Sequence, residues 1–92
     1  WADMQRGDFV DGVTAPVIKD LLSDLIADGV LTKRERDSVL EERRARAEQA
    51  DCLIDMVRRK GDTATSQKLI DHLKTRDPKL HSVLLSHGLD KH

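Results

Sequence analysis

The chain has 92 residues, 38% of them hydrophobic and 36% charged, with a formal net charge of -1. That length fits one domain with a modest core, and two prolines and five glycines argue against a long disordered tract. The near-neutral sum argues against duplex nucleic acid, which favours a clearly positive protein; a single cysteine excludes an internal disulfide; and no apolar run approaches membrane-spanning length.

Apolar residues recur three and four apart along the chain, so the expected fold is all-α, a six-helix antiparallel bundle. The first predicted helix covers about 2–11, with Met4 and Phe9 as core contacts and Val13 just beyond. Gly7 and Gly12 weaken it, so it is expected to be short, bent or broken. Thr14 is a cap candidate for the second helix, 16–28, which starts at Pro16 and is closed by Gly29. Its inward stripe is Val17, Ile18, Leu21, Leu22, Leu25 and Ile26.

Thr32-Lys33-Arg34-Glu35 forms a capping box and opens the third helix, 33–41. Val39 and Leu40 are its only apolar pair, so much of it is expected to face water. A break follows in 41–44. The fourth helix, 46–60, buries Ala50, Leu53, Ile54 and Val57 and is stopped by Gly61. Asp62, Thr63 and Thr65 are cap candidates for the fifth, 65–75, with Leu69, Ile70 and Leu73 inside. Asp77 caps the sixth, 78–87, which carries Leu80, Val83, Leu84 and Leu85. The residues expected at the centre of the core are Leu22, Leu25, Leu53, Ile54, Leu69 and Leu84.

Charge is sorted between these helices. From 20 to 42 there are seven acidic and three basic residues; from 43 to 60 there are six basic and three acidic ones. Opposite patches on one small body attract copies or partners, so the first reading is a protein-interaction module. The basic features are Arg43, Arg44 and Arg46 in one cluster and Arg58, Arg59 and Lys60 in another. Glu41, Glu42 and Glu48 surround the first cluster and repel a polyanion. With one Trp and one Phe there is no stacking platform for single strands.

No chemistry stands out. His72, His81, His87 and His92 read as surface histidines, with no pair spaced for one metal. Cys52 reads as a buried thiol in a reducing compartment. No phosphate loop, dinucleotide fingerprint or calcium loop occurs. No catalytic residue, cofactor or metal is expected. A small enzyme built on Cys52 and a helical nucleic-acid-binding domain remain as alternatives of other classes.

The sequence resembles a caspase recruitment domain, or CARD, of the death-domain superfamily. The resemblance lies in Phe9-Val10, in Leu21-Leu22-Ser23-Asp24-Leu25-Ile26, in Gly29-Val30-Leu31 and in Glu41-Glu42. It continues through Ala50-Asp51-Cys52-Leu53-Ile54-Asp55-Met56-Val57, Lys60-Gly61 and Asp77-Pro78-Lys79-Leu80. It is closest to CARDs of inflammatory caspases and to CARD-only decoys. The resemblance implies a death-fold Greek-key bundle with no cofactor. It also implies binding to the CARD of another protein (caspase, adaptor or sensor), homo-oligomers or filaments, and neither nucleic acid nor membrane as partner. It implies an acidic face on helices two and three, for which Asp20, Asp24, Asp28, Glu35 and Asp37 are the candidates. The opposing basic face uses helices one and four, with Arg6, Arg43, Arg44 and Arg46 as candidates. Three positions depart from the inflammatory-caspase pattern: Asp11 and Glu41 replace basic residues, and Ser23 replaces an acidic one.

The expected function is therefore recruitment or oligomerisation of a caspase or adaptor in inflammasome or apoptotic signalling, in the cytoplasm, with a regulatory decoy as the alternative. The chain begins at Trp1 rather than Met, so a domain excised from a longer protein is expected.

Overall fold

The structure, a computed structural model, describes residues 3–42, 45–61 and 63–86, with Asp3 and Met4 described by their backbone alone. Met4 as a core contact, Asp62 as a cap and His87 and His92 lie outside the described residues or side chains. Six helices follow in order: α1 (Asp3–Gly12), α2 (Ala15–Ala27), α3 (Lys33–Glu42), α4 (Arg46–Arg59), α5 (Thr63–Arg76) and α6 (Pro78–Ser86). Among the described residues there is no strand. Gly7 does not interrupt α1, which ends at Gly12.

The helix ends follow from local chemistry. Thr14 sits at the N-cap of α2 in extended conformation, but its side chain makes no capping bond; Pro16 in the first turn needs no amide partner there. After Asp28, Gly29 takes a φ of 79°. The amide of Gly29 then reaches the Ile26 carbonyl at 3.0 Å and that of Val30 reaches Leu25 at 2.9 Å, a Schellman closure that only a residue free of Cβ strain forms cheaply. Gly61 closes α4 in the same left-handed region. The expected capping box is present: the Glu35 amide donates to Thr32 Oγ1 at 3.2 Å and the Thr32 amide donates to Glu35 Oε1 at 3.0 Å. Asp77 alone joins α5 to α6, and its carboxylate accepts from the Leu80 amide at 3.1 Å.

The inward stripes meet in one core. Ile18, Leu21, Leu22 and Leu25 of α2 and Ala50, Leu53, Ile54 and Val57 of α4 are buried. They are joined by Phe9, Val13, Leu31, Val39, Leu69, Leu73, Leu80 and Leu84. α1 packs on α4 and α6, α2 on α3, α4 and α5, and α5 on α4 and α6. α3 buries Val39 alone, as its sparse apolar set implies.

Three expectations are corrected. Val83 is 44% exposed, because α6 turns Leu80, His81 and Leu84 inward instead. His81 is consequently not a surface histidine: it is buried at 6% exposure on the inward side of a nine-residue helix. Cys52 is a free, half-buried thiol at the edge of the core rather than within it.

Candidate protein-interaction surfaces

Four helices carry the candidate charges, and most of those charges are already engaged within the chain. Arg6 extends from α1 onto α4. Its Nε donates to Asp51 Oδ1 at 2.7 Å and its Nη2 to Asp55 Oδ1 at 2.9 Å. Asp51 and Asp55 are one turn apart, on the same side of α4. The hydrogen bond to Asp51 holds the Arg6 pKa above its ordinary value against the opposing effect of burial, with Asp55 adding to the rise. The two carboxylates keep 52% and 47% of their side-chain exposure. One guanidinium thus serves two half-exposed anions, and the cluster remains acidic.

Arg46, half-buried at the start of α4, donates through one Nη to the carbonyls of Val10 and Val13, the latter at 2.7 Å. These carbonyls belong to the last turn and end of α1, where helical partners run out and the dipole favours a cation. Arg46 therefore ties α4 to the end of α1. Arg43 and Arg44 lie outside the described residues.

Asp20 and Asp24 of α2 and Asp28 at its C-cap form a stripe spaced one turn apart. Arg76 of α5 forks onto Asp24, Nε to Oδ2 at 3.0 Å and Nη2 to Oδ1 at 2.9 Å. His72 of α5 sets Nε2 against Asp28 Oδ2, while its Nδ1 lies 3.6 Å from Asp24 Oδ2. The hydrogen bond from Arg76 pulls the Asp24 pKa below the ordinary carboxylate range. Burial opposes that shift, and the charges of Arg76 and His72 support it. Asp20 is exposed and acts on Arg76 only through its charge.

Glu35 completes the capping box and also pairs with Lys60, the C-cap of α4, at 3.1 Å. Burial, the largest influence on Glu35, pushes its pKa up; the Thr32 amide and the Lys60 ammonium outweigh it, so the net shift is downward. Asp37 pairs with its neighbour Arg36 at 3.2 Å.

Among the described residues, two surfaces keep uncompensated charge. A groove of about 380 Å³ between α1 and α4 is lined by Arg6, Asp11, Glu48 and Asp51 with Val10 and Ala47. Among the described residues, that is one cation against three carboxylates. The side chains of Asp11 and Glu48 make no hydrogen bond or ion pair among the described residues. A second groove, also about 380 Å³, lies between α3 and α4, with Met56 and Ser38 beside Arg34, Arg59 and the paired Glu35 and Lys60. The side chains of Lys33, Arg34, Arg58 and Arg59 likewise make no hydrogen bond or ion pair among the described residues. Sequence reasoning singled out the cluster at Arg58, Arg59 and Lys60 but left it out of the contact face. The start of α3 and the end of α4 are far apart in sequence, and the Glu35–Lys60 pair that joins them is a tertiary contact.

The cleft beside Cys52 is lined by Ser38, Glu48, Asp51, Asp55, Met56 and Arg59, with no histidine among the described residues. Among the described residues no three His, Cys, Asp or Glu side chains group to hold a metal ion, and no helix is long and apolar enough to cross a membrane.

The family model for the caspase recruitment domain matches residues 1–87. No curated protein and no solved structure matches the chain.

Proposed function

We propose, since this chain belongs to the caspase recruitment domain (CARD) family, that it recruits or oligomerises a caspase or adaptor by binding that protein's CARD in inflammasome or apoptotic signalling. The domain itself is a homotypic interaction module of a signalling protein and not an enzyme. The observation that supports the recruitment reading is the charge that the described side chains leave unpaired at the surface, Asp11 and Glu48 beside the α1–α4 groove and Arg34 and Arg59 beside the α3–α4 groove, both on one apolar core. Charge held in separate patches steers encounter and fixes register between partners. A regulatory decoy would bind through the same surfaces and differ only in having no effector to bring along.

The test is binding of the 92-residue chain to a panel of purified caspase, adaptor and sensor CARDs at low and at high salt. At least one CARD is expected to bind, more weakly as salt rises. Binding to duplex DNA with no CARD bound would overturn the reading. Adding the chain to a CARD-dependent caspase activation assay then separates the roles: inhibition by the isolated domain together with activation by its full-length parent supports recruitment, while inhibition by both supports the decoy.

A further inference from the structure

We infer that Ser38 is a phosphorylation site for a kinase directed by acidic residues, and that Arg34 and Arg59 hold the phosphate across the α3–α4 groove. The modification acts on the domain's own fold and does not depend on which CARD it binds.

Three observations carry the assignment. First, the residues around Ser38 suit one class of kinase. Glu41 stands three positions after the serine and Glu42 four, with Asp37 just before it. Both glutamates are exposed, and a substrate groove lined by cations reads them by charge. A kinase that needs arginine three positions before its serine meets Glu35 instead. The other serines, Ser23, Ser66, Ser82 and Ser86, have Ile26, Leu69, Leu85 and Leu89 three positions downstream. Thr32 shares the spacing with Glu35, but Lys33 and Arg34 fill the positions between and its hydroxyl already accepts the Glu35 amide.

Second, two guanidinium groups flank the hydroxyl. Ser38 shares the α3–α4 groove with both Arg34 and Arg59, and a further hollow with each of them separately. Arg34 lies one helical turn before Ser38 on α3, and Arg59 ends α4. Neither side chain makes a hydrogen bond or ion pair among the described residues, so both can fork onto phosphate oxygens. The carboxylates nearby are mostly engaged, Glu35 by Lys60, Asp37 by Arg36 and the Asp51–Asp55 pair by Arg6. Glu42, which accepts from the Ser38 hydroxyl at 3.1 Å, and Glu48 oppose the phosphate; both are exposed and free to turn to solvent.

Third, α3 is lightly anchored. It buries Val39 alone and among the described residues packs only on α2 and α4. Such a helix opens locally at low cost, which presents the half-buried Ser38 to a kinase. In the step, Ser38 Oγ attacks the γ-phosphorus of magnesium-bound ATP. The new O–P bond forms as the bond to ADP breaks, and the hydroxyl proton passes to the kinase's base. The product carries roughly two negative charges at neutral pH, and two arginines from different helices then fasten α3 to α4.

The experiment has two arms on the 92-residue chain. In the first, casein kinase II and ATP act on wild type, S38A and E41Q, and mass spectrometry locates the phosphate. Ser38 should be the main site, with no transfer at that position in S38A and several-fold slower transfer in E41Q. The Glu41 side chain makes no hydrogen bond or ion pair among the described residues, so its loss alters recognition and not the fold. In the second arm, phosphoserine is installed at position 38 during translation, in wild type and in R34Q/R59Q. Amide exchange in α3 is compared with the unmodified chain of the same background. The phosphate should slow that exchange about tenfold in wild type, the equivalent of one charge-assisted hydrogen bond, and leave it unslowed in R34Q/R59Q.

No phosphate at Ser38, or transfer to E41Q as fast as to wild type, overturns the kinase assignment. Unchanged or faster α3 exchange in the phosphorylated wild type, or equal slowing in R34Q/R59Q, overturns capture by the two arginines.

Discussion

Two polar seams cross this bundle, and they balance their charge in different ways. At the α2–α5 seam, Asp24 and Asp28 meet Arg76 and His72, one cationic or protonatable group for each carboxylate. At the α1–α4 seam, Asp51 and Asp55 share Arg6, and Glu48 stands nearby with no partner among the described residues. The first seam is closed by its own helices; among the described residues the second keeps more carboxylates than cations. Charge along the sequence reports neither result, because the balance depends on which helix lies across the seam. A residue's sign is a local property, but its availability to a partner is a tertiary one.

Both seams sit on the same apolar core, and this ranks the ways to perturb them. The largest effect is expected beneath the charges. Leu53 is fully buried on α4, and Leu53→Ala removes methyl groups that neighbouring helices cannot replace, costing about 2–5 kcal/mol. Urea unfolding measures this; a loss smaller than that of any charge substitution at either seam would place the stability of the bundle in its ion pairs.

Next comes Arg46, which belongs to the α1–α4 seam by position but acts on backbone. Arg46→Ala strips the carbonyls at the end of α1 of a charged donor, and about 1–3 kcal/mol of stability should follow. Amide exchange near the end of α1 should accelerate more than exchange in α5. A uniform acceleration across all helices would show that Arg46 supports the fold globally and not the α1–α4 junction.

Arg6→Ala should cost less, at most about 1 kcal/mol, because its carboxylate partners remain half exposed and screened. The loss should shrink in high salt. A loss that is unchanged in high salt would instead place the contribution of Arg6 in the packing of its aliphatic stem against α4.

Much of the fold was legible because helices advertise themselves locally. The stripe of Leu21, Leu22 and Leu25, the capping box at Thr32 and Glu35, the stops at Gly29 and Gly61 and the Asp77 cap are all events within a few residues, and the structure contains each of them. Thr14 shows the limit of such reading: the position caps α2, yet the hydroxyl makes no capping bond. His81 shows another, since a histidine flanked by Leu80 and Ser82 can be turned inward by the packing of a short helix. The site was less legible than the fold. Arg6 and Asp51 are 45 positions apart, and Asp24 and Arg76 are 52 apart. Each of these pairs decides which charges are available at the surface, and neither has a local signature.

The smallest effect is expected from acid, and it tests the closed seam alone. The fork from Arg76 lowers the Asp24 pKa in the folded chain, with burial opposing and the charges of Arg76 and His72 supporting the shift. In the unfolded chain the group returns to its ordinary value of 3.8. A carboxylate with a depressed folded pKa binds fewer protons folded than unfolded below neutrality, so stability rises with pH through that region. The contribution of Asp24 is complete above 3.8 and is lost as pH falls through 3.8 and then through the lower folded value. Arg76→Ala removes the main cause of the depression and brings the two values together. The urea midpoint of the variant should lie below wild type near neutral pH, and the gap should close as pH falls below 3.8. Asp51 and Asp55, sharing one guanidinium at the open seam, provide the internal contrast: Arg6→Ala leaves the Asp24 titration where it is. Direct observation of the Asp24 carboxyl by NMR distinguishes the two seams. Its pKa should rise in Arg76→Ala and stay fixed in Arg6→Ala. A gap between wild type and Arg76→Ala that persists undiminished at the acid end would show that Arg76 stabilises α5 by packing against α2 and not by its charge on Asp24.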